Sequence, residues 1–274
     1  EKRRRGSHMS DWLDIAGKVV IVTGGSSGIG RSIVENLLKQ NAQVANFDVT
    51  ECRIQHENLL SLKVDVSSKT DIEEGIYKVM KHFKTIDGLV NNAGINIPSL
   101  LIDRNHPKSK YELSEQVFDK MIAVNQKSVY LMSQAVGRIL VQKGSGVIVN
   151  LSSESGLEGS EGQSCYAATK AAMNSFTRSW AKELGKRNVR VVGVAPGILE
   201  ETGLRTQEYE EALSYTRGIS VEQLRNGYSR TSTIPLGRSG KLQEVADLVC
   251  YYLSERSSYI TGVTTNISGG KTRG

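Results

Sequence analysis

Tyr166 and Lys170 stand four residues apart in the segment YAATK, and Ser153 lies thirteen residues before the tyrosine. A spacing of four sets a phenol and an ammonium on one face of a helix, one turn apart. Tyrosine alone is a poor base, with a reference pKa of about 10. A neighbouring lysine changes that, because two unit charges about 4 Å apart interact by roughly 4 kcal/mol at an effective dielectric near 20. That is about 3 pKa units at ~1.4 kcal/mol each, an upper range because desolvation opposes both charges. The chemistry implied is proton transfer from an alcohol by a side-chain base. Ser153 follows the strand-like run VIVNL, where its hydroxyl can hold the reacting oxygen. His56, His82 and His106 lie apart from one another and from any cysteine pair, so no metal site is expected.

Taking a hydride as well as a proton needs an acceptor, and the amino-terminal part of the chain offers a place for one. The run KVVIVT (18–23) leads straight into TGGSSGIGRS (23–32). Glycines there let the backbone approach a pyrophosphate, and the helix that follows offers free N–H groups at its positive end. Gly24, Ser26, Ser27, Gly28 and Ile29 are the expected contacts. Residues 25–32 also come close to a P-loop, but Arg31 stands where that motif requires lysine, which disfavours nucleotide hydrolysis. Asp48 ends the second strand-like run, roughly 20 residues further on, as a dinucleotide fingerprint expects. Its carboxylate suits a ribose diol and repels a 2′-phosphate, while Ser26 and Ser27 bring no cation. NAD is therefore expected over NADP.

The elements that must position these groups are short β-branched runs alternating with longer amphipathic ones. Strands are expected at 18–23, 42–47, 59–64, 87–91, 146–151, 189–194 and 262–267, with helices over 31–40, 71–83 and 118–140 among those between them. Several strand runs are apolar on both faces, as buried parallel strands are. Strand–helix–strand alternation predicts an α/β fold, a doubly wound parallel sheet with right-handed crossovers. Residues 199–234 break the rhythm as a long polar insertion after a strand, the usual place for a substrate loop.

Composition narrows the rest. Residues 1–8 read as an expression-tag remnant, and Lys2, Arg3, Arg4 and Arg5 against Glu1 account for three of the six net positive charges. Nucleic-acid and membrane partners are not expected once those charges are set aside, and no apolar run is long enough to span a bilayer. Residues 9–274 are expected to form a single domain. Cys52, Cys165 and Cys250 are odd in number and scattered, which suggests a reduced, cytoplasmic chain.

TGGSSGIG (23–30), NNAG (91–94), Asn125, Ser153, YAATK (166–170) and PG (196–197) occur in this order and spacing. The set resembles the short-chain dehydrogenase/reductase family over essentially the whole chain. The resemblance implies one Rossmann domain with a seven-stranded parallel sheet, assembled as a homotetramer or dimer. It also implies that Lys170 grips the nicotinamide ribose and that Asn125 supports a water chain relaying the proton. By the same resemblance, Asp65 and Val66 bracket the adenine, Asn92, Ala93 and Gly94 pass beneath the adenosine ribose, and Pro196, Gly197 and Ile198 border the carboxamide. The family's threonine four residues after that glycine is Glu201 here, with Thr202 one place later. The stretches 154–186, 196–213 and 259–274 further resemble the bacterial branch that oxidises D-sorbitol 6-phosphate to D-fructose 6-phosphate, which implies a sugar-alcohol phosphate as substrate.

Acids crowd the segment between Ser153 and Tyr166. Glu154 and Glu158, nearest the serine, are expected to accept hydrogen bonds from a polyhydroxylated substrate, with Glu161 solvated. A phosphate end needs cations elsewhere: Arg205, Arg217, Arg225 and Arg230 in the insertion, Lys108 and Lys110, or Lys271 and Arg273 at the tail. Of these, Arg205 is the expected substrate contact. Alternatives are a relative acting on an unphosphorylated polyol, sugar acid or hydroxyketone, a 3-oxoacyl thioester reductase, which Asp48 disfavours, and a non-catalytic NAD-binding redox sensor, which has no need of Ser153, Tyr166 and Lys170.

Overall fold

Successive apolar side chains, alternating between two faces, build the centre of the computed structural model, which describes residues 12–200, 202, 205–229 and 233–272. The tag-like residues 1–8, Glu201, Arg230 and Arg273 lie outside the described residues. Seven strands are present: β1 (Val19–Thr23), β2 (Gln43–Asp48), β3 (Leu59–Lys63), β4 (Gly88–Asn91), β5 (Gly146–Leu151), β6 (Val189–Pro196) and β7 (Thr264–Ile267). They form one sheet in the order β3-β2-β1-β4-β5-β6-β7, every adjacent pair parallel. The helices are α1 (Gly28–Lys39), α2 (Lys69–Phe83), α3 (Glu115–Met121), α4 (Ser128–Lys143), α5 (Ser155–Glu158), α6 (Ser164–Leu184), α7 (Gln207–Thr216), α8 (Val221–Ser229) and α9 (Leu242–Leu253).

Both faces of the sheet are covered, which is why its central strands read as unbroken apolar runs. Val20, Val22, Val90, Val149 and Val192 pack on one side against Ile33, Val34 and Leu37 of α1 and Val245 and Val249 of α9. Val19, Ile21, Leu89, Ile148 and Val191 pack on the other against α2, α4 and α6 through Ile72, Val79, Met132, Val136 and Ala181. Strand order reverses between β1 and β4, and a crevice opens beyond the carboxyl ends of strands at such a switch point. The loops after β1 and β4 carry TGGSSGIG and NNAG to that place.

Two expectations change. The pattern over 118–140 reads as one helix, but α3 and α4 are separated by a π-helical segment, Ile122–Lys127. The wider turn coincides with Asn125, whose buried amide exchanges two hydrogen bonds with the Ile95 backbone. The insertion at 199–234 is not a plain loop: it contains α7 and α8 and follows the carboxyl end of β6. Residues 99–113 dock on α7, where the Tyr215 hydroxyl donates to Asp103 at 2.7 Å and Tyr111 stacks on Tyr215 with ring centres 4.2 Å apart. Among the described residues, no helix is long and apolar enough to cross a membrane.

Candidate active site

The crevice above β1 and β4 has a volume of about 550 Å³ and is walled by Gly24, Ser27, Gly28, Ile29, Asp48, Asp65, Val66, Asn92, Ala93 and Gly94. Two of the loop's glycines answer different needs, one steric and one conformational. A Cβ on Gly30 would stand 2.1 Å from the Gly24 carbonyl oxygen and 2.4 Å from Asn92 Nδ2, so only glycine lets α1 start this close to the β1 loop. Gly28, at φ +54°, would direct a Cβ into open space, with Thr202 3.8 Å away, and a side chain there would fill the cradle. The α1 amino terminus carries no side-chain cap and no acid in its first turn, which leaves its N–H groups for an anion.

Asp48 sits at the crevice edge with Oδ2 accepting from Ser26 N at 3.0 Å and Oδ1 from Thr50 N at 2.9 Å. Each oxygen keeps acceptor capacity for a diol. Only Lys120 and Lys170 are basic among the lining residues, and a carboxylate at the ribose end opposes a 2′-phosphate. These residues fit NAD. Ser26 is the exception among the expected contacts: it does not line the crevice, and its N–H and hydroxyl instead hold Asp48 and the Thr50 carbonyl. Pro196, Gly197 and Ile198 wall a second cavity, and Thr202 borders both.

Tyr166 lines both cavities, as do Ile29, Ser152 and Thr202. It lines the crevice together with Lys170, and it lines the second cavity, about 310 Å³, together with Ser153. The Lys170 amine lies 5.7 Å from the centre of the Tyr166 ring and donates to the Leu151 carbonyl at 2.9 Å. Ser152, beside the expected serine, donates to the Lys170 carbonyl at 3.0 Å and so ties β5 to α6. Burial pushes the Tyr166 phenol up to about 12, against an opposing hydrogen bond with Ser153. Burial also pushes the Lys170 amine down to about 8. The expectation that lysine brings the phenol near neutrality is therefore corrected for the protein alone: desolvation of both groups outweighs their attraction. Asn125 donates to Thr169 Oγ1 at 3.2 Å besides gripping Ile95, so its amide clamps the β4 loop to α6.

The acids and cations sort themselves by partner. Glu154 does not present a free carboxylate, because Oε1 pairs with Lys271 at 2.8 Å and Oε2 accepts from Thr272 Oγ1 at 2.7 Å. Glu158 is exposed and does line the second cavity, whereas exposed Glu161 does not. Arg225 is spent on Glu210 at 2.6 Å. Lys110 lies over the Tyr111 ring, and neither Lys108 nor Lys110 reaches the cavity. Arg205, Arg217 and Lys271 do line it.

Sequence reading missed Asn96, Tyr209 and Tyr228, all of which line the second cavity. Asn96 Oδ1 is buried without a hydrogen-bond partner among the described residues, an acceptor aimed at nothing the protein supplies. Its place two residues after NNAG was the one available signal. Asn91, the first residue of that motif, is structural: it donates to Ser133 and to Asn150, which in turn donates to Thr177.

A family model described as short chain dehydrogenase matches residues 18–213. A sorbitol-6-phosphate 2-dehydrogenase from Klebsiella pneumoniae is 61% identical over 268 residues, covering 97% of this chain and 100% of that protein. A 3-oxoacyl-[acyl-carrier-protein] reductase from Thermotoga maritima is 36% identical, covering 94% of this chain and 99% of that one. The crystal structure of a Brucella melitensis 3-ketoacyl-(acyl-carrier-protein) reductase complexed with NADH superposes with a TM-score of 0.79 at 26% identity, covering 94% of this chain and 100% of that chain. The matched span runs from the first strand through the glycine cradle and the Ser–Tyr–Lys site into α7, and the chain belongs to the short-chain dehydrogenase family.

Proposed function

We propose that this enzyme oxidises the secondary alcohol of a sugar-alcohol phosphate with NAD, D-sorbitol 6-phosphate to D-fructose 6-phosphate. The observation that carries the reaction class is Tyr166 in the shared wall of two cavities, one shaped for a dinucleotide and one lined by polar groups. The substrate rests on the full-length similarity to the Klebsiella enzyme. Asp48 selects NAD by accepting from the adenosine ribose diol.

In this reading Ser153 donates a hydrogen bond to the reacting oxygen and fixes it beside the Tyr166 hydroxyl. The phenolate takes the alcohol proton at Oη. Lys170 favours that phenolate through its charge and holds the nicotinamide ribose through its N–H groups. NAD, when bound, supplies the hydride acceptor and a cationic ring that adds to the pull on the phenol. Asn125 keeps the Ile95 loop against α6 and flanks the water path by which the proton leaves. Glu158 and Asn96 Oδ1 accept hydrogen bonds from the remaining hydroxyl groups, and Glu154, held by Lys271 and Thr272, braces the loop that carries Ser153. The chain works as one domain over residues 9–274, as a homotetramer or dimer, in the cytoplasm, where thiols stay reduced.

The test is a panel of sugar alcohols with and without a terminal phosphate, read by NADH absorbance. Preference for an unphosphorylated polyol or for a 3-oxoacyl thioester refutes the substrate. Tyr166→Phe is expected to abolish turnover while leaving NAD affinity nearly intact, and retained activity removes the tyrosine from the base role.

A further inference from the structure

Among the described residues the second cavity presents three basic side chains, and their partners separate them. Lys271 is neutralised by Glu154 at 2.8 Å. Arg205 and Arg217 have no carboxylate within ion-pair distance among the described residues. Both are half-buried, so a charge without a counter-ion costs more here than on open surface. Arg205 lays its guanidinium 4.0 Å above the Tyr228 ring and donates from Nη2 to the Leu199 carbonyl at 2.8 Å. Arg217 follows the last residue of α7 and donates from Nη2 to Ser160 Oγ at 3.4 Å. Each guanidinium therefore has its direction set and most of its donors unspent, since the group carries five.

Arg205, Arg217 and Tyr228 line the same cavity. The Tyr228 phenol is pushed up to about 12, chiefly by burial, and both Arg205 and Arg217 pull against that shift. Tyr209 lines the same cavity and accepts from Gln163 Nε2 at 3.0 Å. The cavity's other carboxylates do not compensate this charge directly. Glu158 is exposed, and exposed Glu200 accepts from Leu242 N at 2.8 Å.

We propose that Arg205 and Arg217, with the Tyr228 hydroxyl, form a subsite for a phosphate monoester and set the enzyme's preference for a phosphorylated polyol. The proposal rests on the substrate reading above and assigns the phosphate to these two residues rather than to Lys271 or Arg225. Arginine suits the task because its planar fork matches phosphate oxygens in pairs. Placing the cations on the segments flanking α7 keeps the phosphate away from Glu154, and α7 and α8 then close over the charged end of the substrate.

The experiment compares kcat/KM for D-sorbitol 6-phosphate and D-sorbitol in the wild type, Arg205→Gln, Arg217→Gln, the double variant, and Arg225→Gln as control. Hydrogen bonds to charged groups predict that each single change lowers the phosphorylated-to-unphosphorylated ratio about tenfold to a hundredfold. The loss is expected in KM, with partial rescue by Arg217→Lys. Arg225→Gln leaves the ratio unchanged. A structural role alone would lower both substrates together, and a double variant that keeps the wild-type ratio overturns the subsite while leaving the substrate reading intact. A second arm titrates inorganic phosphate against saturating NAD. A wild type with no preference for the phosphorylated polyol defeats the substrate reading, and the subsite then stands only if phosphate binds and the double variant abolishes that binding. Phosphate binding that survives the double change, or is absent from the wild type, overturns it.

Discussion

Replacing Lys170 by methionine isolates the charge on which the proton transfer depends, because methionine keeps an unbranched apolar stem of similar reach. The amine lies 5.7 Å from the centre of the Tyr166 ring, and at that separation a unit charge acts on a phenolate by about 3 kcal/mol at an effective dielectric near 20. That is about 2 pKa units, or about a hundredfold in the phenolate fraction below its pKa. The sign follows from the two shifts. Burial lowers the Lys170 value to about 8 and raises the Tyr166 value to about 12, so in the protein alone the amine loses its proton before the phenol does. The active form is the phenolate, whose fraction rises with pH and is enlarged by an ammonium beside it. Oxidation by the wild type is therefore expected to rise with pH. In Lys170→Met no ammonium remains to favour phenolate, and the limb moves up by about 2 units. Initial rates of NADH formation from pH 6 to pH 10, with NAD affinity measured separately, give the displacement. Superimposable limbs refute the reasoning. A loss that stays constant even where the wild-type rate has levelled off refutes it equally, since it assigns Lys170 to binding alone. Lys170→Arg, which keeps the charge, is expected to hold the limb in place.

Asp48→Ala is expected to weaken NAD by about tenfold, the worth of a hydrogen bond to a charged group, and to relax discrimination against NADP. Because Asp48 also props the glycine loop through Ser26 N, both affinities fall, and only their ratio reports the charge; an unchanged ratio refutes the ribose role. Gly30→Ala drives a Cβ into the Gly24 carbonyl at 2.1 Å, backbone against backbone, and overpacking of this kind costs about 1–3 kcal/mol, a fall in Tm on the order of 5 °C. An unaltered Tm together with unaltered NAD affinity removes the steric account. Asp103 is held down to about 2, first by the Ser109 hydroxyl and also by the Tyr215 hydroxyl and the amides of His106 and Asn105. A depressed carboxyl contributes stability above its unfolded value, about 3.9, and loses it as pH falls toward its folded one. The stability difference between wild type and Asp103→Asn in urea is thus expected to shrink between pH 4 and pH 2, and a constant difference refutes the assignment.

What was legible in the chain was whatever chemistry writes into adjacent residues. Val19, Val20, Ile21 and Val22 alternate faces with no polar residue between them, and only a strand covered on both sides tolerates that, so the parallel sheet followed. The helical spacing of Tyr166 and Lys170 and the glycines before α1 likewise specify local geometry. The order of the strands was legible only through resemblance. The π-helical turn was not legible, because nothing in IAVNQK differs from ordinary helix; its cause is Ile95, a backbone group far away in sequence. Glu154 shows the same limit. Beside Ser153 it reads as a substrate ligand, and only the return of the tail shows that Lys271 and Thr272 reach it first. The sign of the Tyr166 shift also depended on burial, which a spacing of four does not report. The cations carry the point furthest. Arginine has one charge and one shape at positions 205, 217 and 225 alike, and composition ranks none above the others. What separates them is that α8 packs on α7 so that Arg225 meets Glu210, while Arg205 and Arg217 face a cavity with their charge unmatched. Selectivity for a phosphate is in that sense a property of which ion pairs the fold leaves unmade.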